Sequence, residues 1–261
     1  MYSNLSVPEG RMVVLVIVVH GVGEHSGCYC GLAEKMVSQS VGVLAYDQRG
    51  HGRLPGIRGH ASVSSLKNDL HCIVAGMKKD FPDVPIVVLG HSMGGQIVLS
   101  YAFDAGSAVR GVIALSPWLR LTRQPPQVVV KFAKIAAYIT PWLTISTGVK
   151  AEQLTETGDN TVSSKKDPLL HKKISIKLFS DLFENGEKLM QDNHNPEMPV
   201  LLMHGTADTL ISYQAAKLFA KKNEKYVEFK EWHDMRHNLL KDTCSEVVVS
   251  YIISWITKNI T

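Results

Sequence analysis

Three side chains of this 261-residue chain are of the types that together carry out nucleophilic catalysis: Ser92, Asp208 and His237. A serine hydroxyl is a poor nucleophile until a base takes its proton, and an imidazole base needs a carboxylate to fix its tautomer. Ser92 lies within Gly90-His91-Ser92-Met93-Gly94-Gly95, between the apolar runs Ile86-Val87-Val88-Leu89 and Ile97-Val98-Leu99. That order reads as strand, sharp turn, helix, with the serine at the apex. Such a turn needs small neighbours, because its backbone passes through angles that a Cβ obstructs. The pattern is that of the G-x-S-x-G elbow, which lifts a serine hydroxyl above a parallel sheet.

With this turn the acid and the base follow the serine in the order Asp, His. The acid belongs at the tip of a late strand, where Val200-Leu201-Leu202-Met203 runs into His204-Gly205-Thr206-Ala207-Asp208. Asp208 also reads as a plain turn-capping carboxylate, a role the preceding Gly205-Thr206 would suit. The base belongs in the loop before the last helix, which offers both His233 and His237. His237 is favoured, being nearer the helix and further from the strand around Phe229. A tetrahedral oxyanion needs two backbone N–H donors. Met93, after the serine, is one candidate. Val22, in the loop His20-Gly21-Val22-Gly23 after the first long strand, is the other.

The elements that must position these groups are visible as apolar patterns. Residues 12–19 form a β-branched run with no alternation, the mark of a strand buried on both faces. Further strands are expected at 43–46, 86–89, 111–115, 200–203 and 226–229, and helices near 32–40, 63–80 and 246–258. Strand and helix alternate, which implies a mainly parallel sheet flanked by helices. The alternation fails between 118 and 196, a stretch rich in Thr, Lys and Pro. This segment is expected to form a helical cap, or lid, over the sheet's carboxyl edge, where ligands of open α/β folds bind. The domain expectation is a core of residues 1–117 and 197–261 with the cap at 118–196. The clearest cap helix, 127–139, has one narrow polar stripe of Gln127, Lys131, Lys134 and Tyr138. Its wide apolar remainder either packs under the insertion, which is the favoured reading, or faces lipid.

Composition excludes several classes. Hydrophobic residues are 45% and charged residues 20%, as in a globular protein with a sizeable core. The net charge of +4 is too small to argue for nucleic acid. The cap holds 11 Lys and Arg against 8 Asp and Glu, which suits either an anionic lipid surface or a solvated helical face. Cys28, Cys30, Cys72 and Cys244 have no metal-site spacing, and no disulfide framework or metal is expected. No signal-like start is seen, and the longest apolar run is far short of the roughly 20 residues of a membrane span. A cytoplasmic location is the default expectation.

Beyond these sites the chain carries His20-Gly21-Val22-Gly23-Glu24-His25-Ser26-Gly27 with Tyr29, then Tyr46-Asp47-Gln48-Arg49-Gly50-His51-Gly52, and Asp167-Pro168-Leu169 in the cap. With the elbow, Asp208 and His237, these strings resemble the monoacylglycerol lipases and lysophospholipases of the serine α/β-hydrolases, over nearly the whole chain. The resemblance implies an α/β-hydrolase fold and cofactor-free hydrolysis of monoacylglycerol esters through an acyl-enzyme, with peripheral membrane contact through the cap. Lysophospholipase activity is the alternative, and the same triad can also transfer an acyl group to another alcohol. A non-catalytic binding protein of this fold is the competing class, disfavoured because all three triad members are present in order. The resemblance also puts Glu24 and His25 near the substrate headgroup. As residues alone they read equally as loop and helix-capping groups. The chain departs from the family at Cys28, where a basic residue is usual, and at Leu240, where a histidine is frequent. Its N-terminal hairpin is shortened to a remnant near residues 2–7, so six parallel strands with a raw edge are expected.

Overall fold

In the computed structural model, residues 2–103, 108–156, 167–192, 196–242 and 244–261 are described. A short strand, β1 (Ser3–Ser6), leads to β2 (Val14–Val19), the helix α1 (Cys30–Val37) and β3 (Val41–Tyr46). The helix α2 (Val63–Asp80) then precedes β4 (Ile86–His91), α3 (Met93–Phe103) and β5 (Gly111–Leu115). The inserted segment contributes α4 (Gln127–Ile139), β6 (Thr144–Ser146), α5 (Ala151–Leu154), β7 (Lys173–Ser175) and α6 (Ile176–Gln191). The chain closes with β8 (Val200–Gly205), α7 (Tyr213–Lys222), β9 (Val227–Trp232) and α8 (Ser245–Asn259). Residues 157–166 and 193–195 of the inserted segment lie outside the described residues.

The main sheet has the order β1-β3-β2-β4-β5-β8-β9 among the described residues. The β3, β2, β4, β5, β8 and β9 strands are parallel, as the unbroken apolar runs require. Each run feeds two cores. Leu15, Ile17 and Val19 of β2 pack on the face carrying α2, α3, α6 and α7, while Val14, Val16 and Val18 pack on the face carrying α1 and α8. Truncating one of these fully buried side chains to Ala costs about 2–5 kcal/mol.

Two expectations are corrected. The β3 edge is not raw: β1 pairs antiparallel with it, from Ser3 opposite Tyr46 to Ser6 opposite Val43. The remnant is polar, so only a partner strand could reveal it. The second correction concerns α4, whose bounds agree with the sequence pattern but whose apolar flanks do not pack. Val130 alone among its residues is buried, whereas Val128, Val129, Phe132, Ile135 and Ile139 are exposed and Tyr138 is 91% exposed. The helix rests along α6 and is tied to it by Lys134 on Glu184 at 2.9 Å. By contrast α6 is an integral part of the core: Leu178 and Leu182 have no exposure, and both join the cluster built on β2 and β4. No helix among the described residues is long and apolar enough to cross a membrane.

Candidate active site

The elbow forms where the small residues allow it. Ser92 has φ +55°, a left-handed value that costs an L-residue about 1–2 kcal/mol. A Cβ on Gly90 would run into the Gly94 backbone, and one on Gly94 into the Val19 carbonyl, so β4 and α3 meet closely only because both are glycine. The strained turn is pinned by Ser92 N–H donating to Leu115 O at 2.9 Å and Trp118 N–H donating to Ser92 O at 3.0 Å.

At the end of β8, Asp208 is 6% exposed and its carboxylate is fully engaged. Oδ1 accepts from Leu210 N–H at 2.8 Å and Ile211 N–H at 3.0 Å. Oδ2 accepts from His237 Nδ1 at 2.7 Å. Burial pushes the carboxyl up, but His237 beside it and the hydrogen bonds from His204 and His237 outweigh that and hold it well below the usual carboxylate range. With the Nδ1 proton committed to Asp208, Nε2 of His237 presents a lone pair. His233 is unlike it. Its side chain is 80% exposed and its nearest carboxylate is Glu231 at 3.9 Å. The geometry thus separates the two histidines that the loop offered.

The His237 ring lies 4.9 Å from the ring of His91, the residue before Ser92. The loop after β2 closes on the same point: a Cβ on Gly21 would stand 3.2 Å from His91 Nδ1 and 3.4 Å from Ser92 Cβ. That loop is held from behind by the turn after β3. His20 accepts Gln48 N–H on Nε2 at 3.0 Å and donates from Nδ1 to Gly21 O at 2.8 Å, while Asp47 accepts Ser26 N–H at 2.8 Å and Arg53 N–H at 2.7 Å. Met93 is the first residue of α3, so its N–H has no acceptor within the helix. Among the described residues Val22 N–H has no protein acceptor either. Two free amides beside a buried, carboxylate-backed imidazole and a serine are the parts that acyl transfer needs.

Glu24 and His25 bond as loop and capping groups, one of the two roles their residue types allowed. Glu24 Oε2 accepts Gly21 N–H at 2.8 Å, Tyr29 O–H at 2.7 Å and His91 Nδ1–H at 3.2 Å, and Oε1 accepts Asn238 Nδ2–H at 3.2 Å. Burial raises this carboxyl, but His91 and the Tyr29 bond overcome it and hold it well below its ordinary value. It therefore ties the loop after β2 to the residues flanking both Ser92 and His237. His25 Nε2 bonds Asp167 Oδ2 of the inserted segment at 2.8 Å, and its Nδ1 accepts Gly27 N–H at 3.1 Å. Cys28 stands next to this network as a neutral group, its thiol pushed up to about 11 by burial and by Glu24. Leu240 packs into the core on the α8 face.

Sequence reasoning missed His91, Asn238 and His204. The signal was their adjacency to the motif residues at strand and loop ends. The segment between β5 and β8 reaches the loops beside them: Asn238 N–H donates to Leu154 O at 2.9 Å, His171 N–H to Gly23 O at 3.1 Å, and Arg236 to the carbonyls of Glu152 and Thr155.

Comparisons with known proteins show the family of the chain. The profile of the family described as Hydrolase_4 (serine aminopeptidase, S33) matches residues 10–244. A monoacylglycerol lipase of Mycolicibacterium smegmatis is 26% identical over 94% of this chain and 89% of its own length. An uncharacterised abhydrolase domain-containing protein of Dictyostelium discoideum is 28% identical over 97% of this chain, which spans 27% of that longer protein. The crystal structure of the Paleococcus ferrophilus monoacylglycerol lipase superposes with a TM-score of 0.90 at 31% identity, covering 99% of both chains. The chain belongs to the Hydrolase_4 family and is an α/β-hydrolase of the lipase and esterase kind.

Proposed function

We propose that the chain hydrolyses the acyl ester of monoacylglycerols through an acyl-Ser92 intermediate. The observation that carries this is the buried His237–Asp208 pair, 2.7 Å apart, beside a serine held at φ +55°. Ser92 Oγ attacks the ester carbonyl as His237 Nε2 takes its proton. The tetrahedral oxyanion lies on the N–H groups of Val22 and Met93. Collapse breaks the C–O bond to the glycerol, which leaves with the proton from His237. Water, deprotonated by the same nitrogen, then releases the fatty acid and restores Ser92.

The names of the relatives support a single-chain glyceride, and the cap supports an interfacial setting. Val128, Phe132, Ile135, Ile139, Trp142 and Leu143 form an exposed apolar surface beside Lys131 and Lys134. That combination suits a cytoplasmic enzyme that rests the cap on a lipid surface. Headgroup contact by Glu24 and His25 is not used in this reading, because their polar atoms already serve protein partners.

The test is an ester panel of monoacylglycerol, lysophosphatidylcholine, triacylglycerol and short p-nitrophenyl esters, run beside fluorophosphonate labelling. Monoacylglycerol is expected to be the preferred substrate, and Ser92→Ala to abolish labelling. Labelling that persists in Ser92→Ala refutes the nucleophile. Turnover of short soluble esters alone refutes the lipid substrate, and a preference for lysophosphatidylcholine replaces it. Product analysis with added glycerol separates hydrolysis from acyl transfer.

A further inference from the structure

His204, near the end of β8, has no exposure, and the triad reading assigns it no role. Its Nε2 faces two acceptors, Asp208 Oδ2 at 3.0 Å and Ile211 O at 3.3 Å, so that nitrogen carries the ring proton. The oxygen it reaches is the one that accepts His237 Nδ1–H at 2.7 Å. Two histidines therefore donate to one carboxylate oxygen, while Oδ1 is taken by two backbone amides. His204 Nδ1 is buried with no partner among the described residues. The ring thus gives up one polar atom's hydrogen bonding to place the other on Asp208. An apolar side chain would fill the same space without that cost.

We propose that His204 is a positioning residue that sets the basicity of His237 by sharing Oδ2 of Asp208. The inference rests on the reading of Ser92, His237 and Asp208 as a triad. The His204 bond draws electron density from Oδ2, so Asp208 stabilises the protonated form of His237 less than an unshared carboxylate would. It also fixes the carboxylate plane toward the His237 ring. The other titratable groups around the pair are His91 at 4.9 Å and Glu24 behind it, with Arg236 and Asp242 on the loop of His237. On the His204 side they are Tyr213, its ring 6.2 Å away, and Glu231, opposite His204 in the β8–β9 ladder.

The experiment compares wild type, His204→Leu and His204→Gln in the pH profile of kcat/KM on a soluble ester, with melting curves alongside. His204→Leu is expected to move the acidic limb upward by roughly half to one pH unit, because the unshared carboxylate raises the His237 pKa. His204→Gln returns an N–H to about the position of Nε2 and is expected to restore the wild-type limb. A folded His204→Leu with an unmoved limb overturns the proposal, and so does a failure of Gln to differ from Leu.

If His204→Leu does not fold, nitrogen-15 histidine spectra of the wild type decide. They are expected to show His204 as the Nε2–H tautomer at neutral pH, with its signal shifting as the pH is taken through the acidic limb. An Nδ1–H tautomer, or a signal blind to that titration, overturns the proposal. A wild type inert to every ester and to the fluorophosphonate refutes the triad reading instead, and the spectra then still report whether the two histidines are coupled.

Discussion

Asp208→Asn tests the arrangement around the carboxylate most severely. In the wild type four N–H groups point at Asp208: two backbone amides at Oδ1, and His237 and His204 at Oδ2. A carboxamide has one oxygen and one NH2. The amides of Leu210 and Ile211 cannot exchange their protons for lone pairs, so the oxygen must face them and the NH2 must face both histidines. His237 then has to accept on Nδ1 and carry its proton on Nε2, where it can no longer receive one from Ser92. The expected loss in kcat is about ten-thousandfold, as for the matching change in a serine protease triad.

Stability falls as well. Four hydrogen bonds to a charged acceptor, about 1.5–3 kcal/mol each, give way to neutral ones of about 1 kcal/mol, a gross loss of about 2–8 kcal/mol that the lower cost of burying a neutral group offsets in part. For a chain of this size each kcal/mol lowers Tm by about 2–4 °C. The pH sign follows from the depressed carboxyl. A native pKa below the unfolded value stabilises the fold above about pH 4 and ceases to do so as the pH falls through the native value. The gap in Tm between wild type and Asp208→Asn should therefore be full at neutral pH and narrow below about pH 4. Kinetics on a p-nitrophenyl ester and melting curves at both pH values measure the two effects. A variant within about tenfold of wild-type kcat would refute the tautomer argument.

The remaining substitutions probe the elbow and its neighbours. Ser92→Gly removes the nucleophile and relieves a left-handed φ, so it should be inactive yet melt no lower than wild type; a clear drop in Tm would show the turn to be unstrained. Gly94→Ala drives a methyl group into the Val19 carbonyl and should cost about 2 kcal/mol or more, read as a fall in the urea midpoint. A wild-type midpoint would mean that α3 is free to shift. Glu24→Gln weakens bonds to Gly21, Tyr29, His91 and Asn238, and should lower kcat more than it raises KM. Because the Glu24 carboxyl is depressed, the accompanying stability loss should be present at neutral pH and fade below about pH 4; a pH-independent loss refutes the linkage.

The parts of this fold that were legible in the sequence are those whose residues speak for themselves. The buried strands β2, β4, β5 and β8 are apolar at consecutive positions, and α2 starts after a serine whose side chain accepts the Ser65 amide. The elbow was legible because the strain of a serine at positive φ demands glycines at fixed offsets. What stayed hidden depends on distant partners. The β1 strand, Ser-Asn-Leu-Ser, has no apolar signature, and β6 and β7 pair three residues each across almost thirty positions of chain. The α6 helix carried a readable signal in Leu178, Leu182 and Leu189 on one face, masked by the Thr- and Lys-rich surroundings. The sharing of Asp208 with His204 is a tertiary fact.

The division of the inserted segment between α4 and α6 has a consequence for local stability. Gly186 lets α6 pack against the carbonyl of Leu119, with Gln96 of α3 donating to Leu182 O at 2.8 Å. Loosening α6 therefore means breaking into the core itself, and its amides should exchange with solvent only on global unfolding. Loosening α4 gives up its contact with α6 and the burial of Val130, a small part of the whole. The two helices thus belong to different rungs of the unfolding ladder. Opening of α4 therefore costs a fraction of the free energy that holds the sheet together.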